Sequence, residues 1–405
     1  MNYTISQTAL SIINLVEKKY LRKKMANKFI YILNSYSKRS DEHYFHIIRL
    51  LEEIARNDVQ IALVIEKSDG IPVFKSPNVE VFTLNNSSYL KRCLSLYKVL
   101  KTLRLRSYNK VFTRISKSGI ITSIIFNFFN LNFETYYWHS GTVFEFNKRK
   151  LKFIPWIKEI LGFWFIKEFV TYFVTGPESM KEYYIKHGVK RNKILILYND
   201  IDLERFKNDS DKSLIKSKLN IPIDDKVILF VHRLSPVRET LFYLPYIIEK
   251  FFLEKGFEEY KFCIIGGGSD KEKLEKEIRD SNLQQKVFIL GSIPNVTIQE
   301  YYSIADVFIN PTMVEGFPRV LIEAQALGLP IVTTDAGGIK DILPLEQQSY
   351  IVSKSDRDAF ADALIKMVKN NNLEEIGHTN KEFVKKFSTQ KVALMYINKL
   401  FNNEE

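Results

Sequence analysis

The sequence predicts two α/β domains in tandem, each an open parallel sheet covered by helices, facing each other across a central cleft. Three observations predict it. Brief apolar runs alternate with stretches of helical spacing along most of the chain, the alternation breaks and restarts near residues 190–205, and 405 residues with 45% hydrophobic content can bury two ordinary cores.

The first series opens at Lys28 with KFIYILNS, a β-branched and aromatic run that reads as a strand. A polar loop follows, and EHYFHIIRLLEEIARN then carries apolar residues at helical spacing. VQIALVIE, VEVFTL, KVFTRI and FETYYWHS are further short strands, with LKRCLSLYKVLKTLRL and GIITSIIFNFF as helices among them. The second series runs from KVILFVHRL through LFYLPYIIEKFFLEK, YKFCIIGGG, KEKLEKEIRDSN, KVFILGSI, YYSIADVFINPT and RVLIEAQALG to PIVTTDAGG. Strand and helix alternating in this way build a parallel sheet. Between the two series, Gly-Pro and Asn-Asp turn signals punctuate a strand, a short helix and a crossing segment. The boundaries that follow are an N-terminal extension 1–27, a first domain 28–195, a second domain 196–385 and a C-terminal helix 386–405 placed to pack back on the first domain. Tandem sheets of this kind turn the carboxyl ends of both strand sets toward one crevice, where open α/β sheets bind ligands.

Composition excludes several classes. A charged fraction of 26% without a long polar tract excludes a disordered or fibrous chain. No run reaches the roughly 18 apolar residues of a membrane span. Cys93 and Cys263 lie far apart without Cys or His at metal spacing, which implies a reducing compartment and no structural zinc. The start lacks a basic segment and a cleavage site, so a cytoplasmic location is expected, with any membrane contact peripheral and at the inner face. The net charge of +12 divides into +16 over residues 1–200 and −4 over the remainder. The basic half favours an anionic partner, or else simply carries solvated lysines.

Residues 310–338, NPTMVEGFPRVLIEAQALGLPIVTTDAGG, are the most informative stretch. Glu315 and Glu323 bracket a Gly316-Phe317-Pro318 turn and a helix start, where free backbone N–H groups favour an anion or a hydroxyl network. This pattern resembles the E-x7-E motif of retaining glycosyltransferases of family 4 (glycosyl transferases group 1), whose GT-B fold places two Rossmann-like domains across a cleft. FVHRLSPVRET, residues 230–240, is similar to the family segment G-R-L-s-x-x-K-G, with His232 and Glu239 where glycines are usual and Arg238 where lysine is usual.

The resemblance implies a nucleotide-sugar donor held by the second domain and an acceptor, a saccharide or a lipid-linked saccharide, held by the first. Arg233 and Arg238 would stabilise charge on the departing nucleoside diphosphate in place of a metal. Glu315 would accept from hydroxyls of the transferred sugar and Glu323 from the ribose. Gly316, Phe317 and Pro318 would shape the turn under the donor, and the backbone at Gly291, Ser292 and Ile293 would lie near the base. His139, beyond a predicted strand, resembles the family histidine that contacts the donor sugar, although a lone histidine is as readily structural. The implied chemistry needs no cofactor and no metal. Two D-x-D triplets, Asp200-Ile201-Asp202 and Asp356-Arg357-Asp358, read as a linker and a helix start: the first lies in YNDIDLERF, which resembles N-G-V-D-x-x-x-F with Asp200 replacing the glycine.

Three stretches keep two readings. Loop 34–42 offers Lys38 and Arg39 to a phosphate or is a solvated loop capped by Ser40 or Asp41. Residues 149–170, with Trp156, Phe163, Trp164 and Phe165, touch a membrane surface or form a partly buried helix. Residues 1–27 offer Lys18, Lys19, Arg22, Lys23 and Lys24 as a second lipid contact. The alternatives to an enzyme are a catalytically silent partner subunit of the same fold and a nucleic-acid binder. No nucleic acid is expected as partner, since glutamates and arginines of the motif are intact.

Overall fold

The computed structural model describes residues 27–37, 41–85, 88–139, 153–207 and 211–402. Strand β1 (Asn27–Leu33) is buried along its last five residues, which is why its sequence is continuously apolar rather than alternating. With β2 (Val59–Ile65), β3 (Val79–Thr83), β4 (Lys110–Arg114), β5 (Glu134–Trp138), β6 (Tyr172–Thr175) and β7 (Ile194–Ile196) it forms a seven-stranded parallel sheet in the order β3-β2-β1-β4-β5-β6-β7. A second, six-stranded parallel sheet follows: β8 (Lys226–Val231), β9 (Tyr260–Ile265), β10 (Val287–Gly291), β11 (Val307–Asn310), β12 (Ile331–Thr334) and β13 (Ile351–Val352), ordered β10-β9-β8-β11-β12-β13. The fold is GT-B.

Helices of the first domain are α1 (Asp41–Arg56), α2 (Tyr89–Leu105), α3 (Lys117–Phe126), α4 (Phe153–Phe169) and α5 (Glu178–Lys186). The second domain carries α6 (Lys212–Lys218), α7 (Thr240–Leu253), α8 (Lys271–Asp280), α9 (Ile298–Ser303), α10 (Arg319–Ala326), α11 (Arg357–Val368) and α12 (Leu373–Val384). Both sheets reverse direction beside their first strand, between β1 and β4 and between β8 and β11. These switch points set the crevices where ligands enter an open sheet.

The chain crosses between the sheets twice, and the two crossings are tied together. Ile201 N–H donates to the Phe387 carbonyl at 2.9 Å, and Thr389 N–H donates to the Ile201 carbonyl at 3.1 Å. Ser388 then accepts from Lys391 N–H and starts α13 (Thr389–Ile397). Val392, Ala393, Tyr396 and Leu400 enter the core of the first domain beside α1 and β1. Tyr396 stacks on Trp138 at 6.3 Å and lies 5.4 Å from Phe112.

Buried polar groups join the crossing to both domains. Arg114, at the end of β4, sits 4.7 Å over the Trp138 ring and donates to Asn199 Oδ1 at 2.6 Å. Asn199 Nδ2 in turn donates to the Phe317 carbonyl at 3.0 Å. Asp200 accepts from Thr389 Oγ1 at 2.8 Å and faces Arg319 at 3.5 Å, while Asp202 pairs with Arg49 of α1. The D-x-D at 200–202 is thus spent on the hinge, and Asp356 caps α11 by accepting from Ala359 N–H.

Residues 1–26 of the extension, Lys38, Arg39 and Ser40, and residues 140–152 lie outside the described residues, as do the side chains of Asp41 and Trp156. No helix among the described residues is long and apolar enough to cross a membrane.

Because Tyr396 fills the space between Trp138 and Phe112, Tyr396→Ala leaves a cavity and lowers the unfolding free energy by about 3–4 kcal/mol. Urea unfolding followed by near-ultraviolet circular dichroism checks this.

Candidate active site

At the switch point of the second sheet, three loops converge at the carboxyl ends of β8, β9 and β11. The β8 loop begins with His232, whose Nδ1 lies 2.7 Å from the Arg233 backbone N–H. A backbone N–H can only donate, so Nδ1 accepts and the proton sits on Nε2. That Nε2–H points at Glu315 Oε1, 2.6 Å away, and Arg238 Nη1 donates to the same oxygen at 2.8 Å. Arg238 also donates to the Val314 carbonyl.

Glu315 is 6% exposed. Burial pushes its carboxyl up, but the Arg238 charge and the hydrogen bonds from His232 and Arg238 outweigh it and hold the carboxyl at about 2. The result is a fixed anion inside a cationic clasp. Arg233 follows His232 directly; its guanidinium is exposed and makes no ion pair among the described residues. The cleft wall therefore offers one engaged and one open guanidinium.

The loop keeps its course without the usual glycines. Glu239 takes the left-handed conformation, φ 56°, directly before α7. Glycine would adopt it freely, whereas a side chain there costs about 1–2 kcal/mol. Thr240 Oγ1 accepts from Ser235 N–H at 3.0 Å and closes the turn. His232 replaces a glycine and puts its ring on Glu315.

Neighbouring glycines are set by close approach. A Cβ on Gly268 would lie 1.9 Å from the Leu234 carbonyl oxygen, and one on Gly337 would lie 2.1 Å from that of Glu315. Both residues have positive φ, 148° and 60°. The β9 loop thus supports the loop of Arg233, and the loop after β12 supports the turn of Glu315. Gly291 hydrogen-bonds through its carbonyl to Gly266 N–H at 2.7 Å, and Ser292 packs against Gly267. Ile293 packs on the core of the second domain, so its backbone is what remains for a ligand.

The other residues singled out in the sequence fall elsewhere. Gly316 receives a hydrogen bond at its carbonyl from Gly338 N–H, and Pro318 precedes the first turn of α10. The ring of Phe317 is buried in the hinge against Tyr198 and Phe387. Glu323 faces the hinge as well: it accepts from Tyr302 Oη at 3.0 Å and lines a small cavity with Arg49, Asp202, Arg205 and Arg319. Of the expected set, the structure brings Arg238 and Glu315 into contact and keeps Arg233 beside them along the chain. Glu323 belongs to a separate network.

His139 directly follows β5 in the first domain. Its Nδ1 lies 2.6 Å from Tyr184 Oη, and Tyr137, Phe163 and Phe173 surround the ring. Burial, followed by the Lys117 charge, lowers it to about 3, so the imidazole is neutral at neutral pH. Sequence reasoning passed over His232 as a carboxylate partner. The signal was the one used for His139, a histidine just beyond a strand.

Residues 211–384 match the family model described as Glycosyl transferases group 1. The chain is 28% identical over 330 residues to an Escherichia coli UDP-Gal:alpha-D-GlcNAc-diphosphoundecaprenol alpha-1,3-galactosyltransferase, covering 78% of this chain and 82% of that protein. It is 25% identical over 376 residues to the Staphylococcus aureus capsular polysaccharide biosynthesis glycosyltransferase CapM, covering 86% and 94%. The crystal structure of Anabaena HepE in complex with UDP aligns with a TM-score of 0.72 at 16% identity, over 93% of this chain and 100% of that one. Together these findings support a glycosyltransferase of the GT-B fold.

Two stability outcomes follow. The folded Glu315 carboxyl titrates below its ordinary 4.5, so its contribution, about 3 kcal/mol, is complete above pH 4.5 and lost as pH falls toward 2. Urea unfolding between pH 3 and 7 shows this slope in the wild type and a flatter one in Glu315→Gln; Arg238→Met moves the loss to higher pH. Glu239→Gly relieves the left-handed side chain and raises the thermal midpoint, by about 1 kcal/mol in stability.

Proposed function

We propose that the chain is a metal-independent glycosyltransferase that moves a hexosyl group, with retention, from a nucleotide sugar to a saccharide or lipid-linked saccharide in cell-surface polysaccharide assembly. The observation that carries this reading is the clasp of Glu315 by His232 and Arg238 beside the open Arg233 at the switch point of the second sheet. The lipid-linked acceptor is supported by the diphosphoundecaprenol named for the Escherichia coli relative and by the basic first half of the chain.

The donor's diphosphate carries most of its charge, and breaking the anomeric C–O bond adds more to the leaving oxygen. Arg233, solvated and unpaired among the described residues, approaches that phosphate. Arg238 keeps part of its guanidinium for the same purpose while its Nη1 orients Glu315. The Glu315 carboxylate, ionised throughout the physiological range, accepts from sugar hydroxyls and draws the ring against the turn at Gly316. The new C–O bond forms on the face the diphosphate leaves, and the acceptor hydroxyl gives its proton to a phosphate oxygen. Fixed cations placed where charge develops lower the barrier without reorganising. Glu323 acts on the ribose through the hinge side of the turn, and the backbone at Gly291, Ser292 and Ile293 meets the base. His139, neutral and held by Tyr184 at the end of the first sheet, contacts the donor sugar in this reading only by its resemblance to the family histidine.

A thermal-shift screen across nucleotide sugars, followed by transfer assays with soluble and lipid-linked saccharides, tests the reading. A cognate nucleotide sugar at about 100 times its Kd adds about 2.7 kcal/mol of stability. Arg233→Ala, at an exposed position, leaves the melting curve intact and lowers transfer about a hundredfold. Binding without transfer to any acceptor would favour a silent subunit, and no response to any nucleotide sugar would sink the proposal.

A further inference from the structure

Helix α4 lacks the polar face that a surface helix needs. Its sequence, FIPWIKEILGFWFIKEF, is apolar all round, whereas α1, DEHYFHIIRLLEEIAR, segregates its charges to one side. The inward side of α4 is filled: Ile166 is buried and Phe163 meets Phe173 at 5.8 Å. The outward side leaves Leu161 59% and Trp164 52% exposed. Beside it, α3 continues into a π-helical turn, Asn127–Leu131, whose Phe128 and Phe129 are 62% and 66% exposed. Phe128 meets Phe169 at 5.5 Å, so the two elements form one continuous apolar face rather than scattered side chains.

Positive charge rims this face. Lys193 donates to the carbonyls of Glu168 and Val170 at the end of α4, at 2.7 and 3.0 Å. The Lys167 ammonium lies against Gly188, in the same loop as Lys190. Glu159 is neutralised by Lys117, and Glu182 by Arg191. Along the chain, Lys148, Arg149, Lys150 and Lys152 precede the helix. Pairing two copies through this face about a twofold axis would set the lysines against each other. An anionic lipid surface complements both features, taking phenyl and indole groups into its interface and lysines at its head groups.

We propose that the face formed by α4 and the π-helical turn after α3 docks the protein on an anionic bilayer, with Phe128, Phe129, Leu161 and Trp164 entering the interface. This rests on and deepens the proposed function, because it names the surface that brings the first domain to a lipid-linked acceptor. The full chain is floated with vesicles of phosphatidylcholine alone and of phosphatidylcholine with phosphatidylglycerol. The wild type floats with the anionic vesicles, less so at high salt, and Trp emission shifts to the blue. Phe128→Ser with Phe129→Ser, and Leu161→Ser with Trp164→Ser, each weaken binding at least tenfold, with melting curves within two degrees or so of wild type. Leu253→Ser, at an exposed position of the second domain, changes nothing. Undiminished binding by both double variants, equal binding to neutral vesicles, or a dimer that these variants dissolve would overturn the proposal. Nucleotide-sugar thermal shifts on the same samples separate the outcomes: donor binding without vesicle binding removes this inference alone, and vesicle binding without donor binding removes the proposed activity alone.

Discussion

Arg114, Asn199 and the Phe317 carbonyl form a buried polar bridge on which the relation of the two domains depends. One end is the last residue of a central strand of the first sheet, and the other is the turn that carries Glu315. A buried guanidinium or amide left without a partner costs roughly 1–3 kcal/mol or more, so each link is retained only while the next is in place. The turn of Glu315 is thereby referenced to the first sheet and not only to its own domain. Gly176 and Pro177 add a steric register: a Cβ on Gly176 would reach Phe317 at 3.1 Å, and a Cβ on Gly338 would meet Pro177 at 2.2 Å.

The two glutamates of the motif show how differently one helix start can use the same side chain. Glu315 stands before α10, in reach of a cation and an imidazole from the β8 loop, and remains ionised despite burial. Glu323 is a further eight residues along and meets a tyrosine hydroxyl, with Arg205 and Arg319 supplying charge. One carboxylate faces the cleft wall and the other faces the hinge. Any ligand drawn to both must lie along the helix start, spanning the cleft wall and the hinge, and its binding would act on the same residues that relate the domains.

The first domain is built around aromatic rings. Tyr31, Phe112, Trp138 and Tyr396 stack through its centre, and Arg114 lies on the Trp138 ring. A buried guanidinium is tolerable there because rings and Asn199 together replace its hydration. The C-terminal helix completes this stack, which makes the last residues of the chain part of the first domain's core and ties its stability to the second crossing at Phe387–Thr389.

Two parallel sheets and the turn of Glu315 were legible in the sequence. Apolar periodicity reports local burial, and Gly-Phe-Pro before a helical pattern marks a turn wherever the domain sits. The adjacency of Arg233 and Arg238 to one strand end was legible for the same reason. What the tertiary structure alone decided are contacts between segments far apart along the chain: His232 on Glu315, Asn199 on Phe317, Glu323 toward the hinge, and His139 among aromatic rings rather than at an open edge. None of these has a period or a local signal, because each depends on how two independently patterned sheets dock. The same holds for α4, whose all-round apolar sequence fits a buried helix equally well; only the packing shows that Leu161 and Trp164 face outward. A sequence records which side chains avoid water locally, and docking geometry decides which of them meet one another.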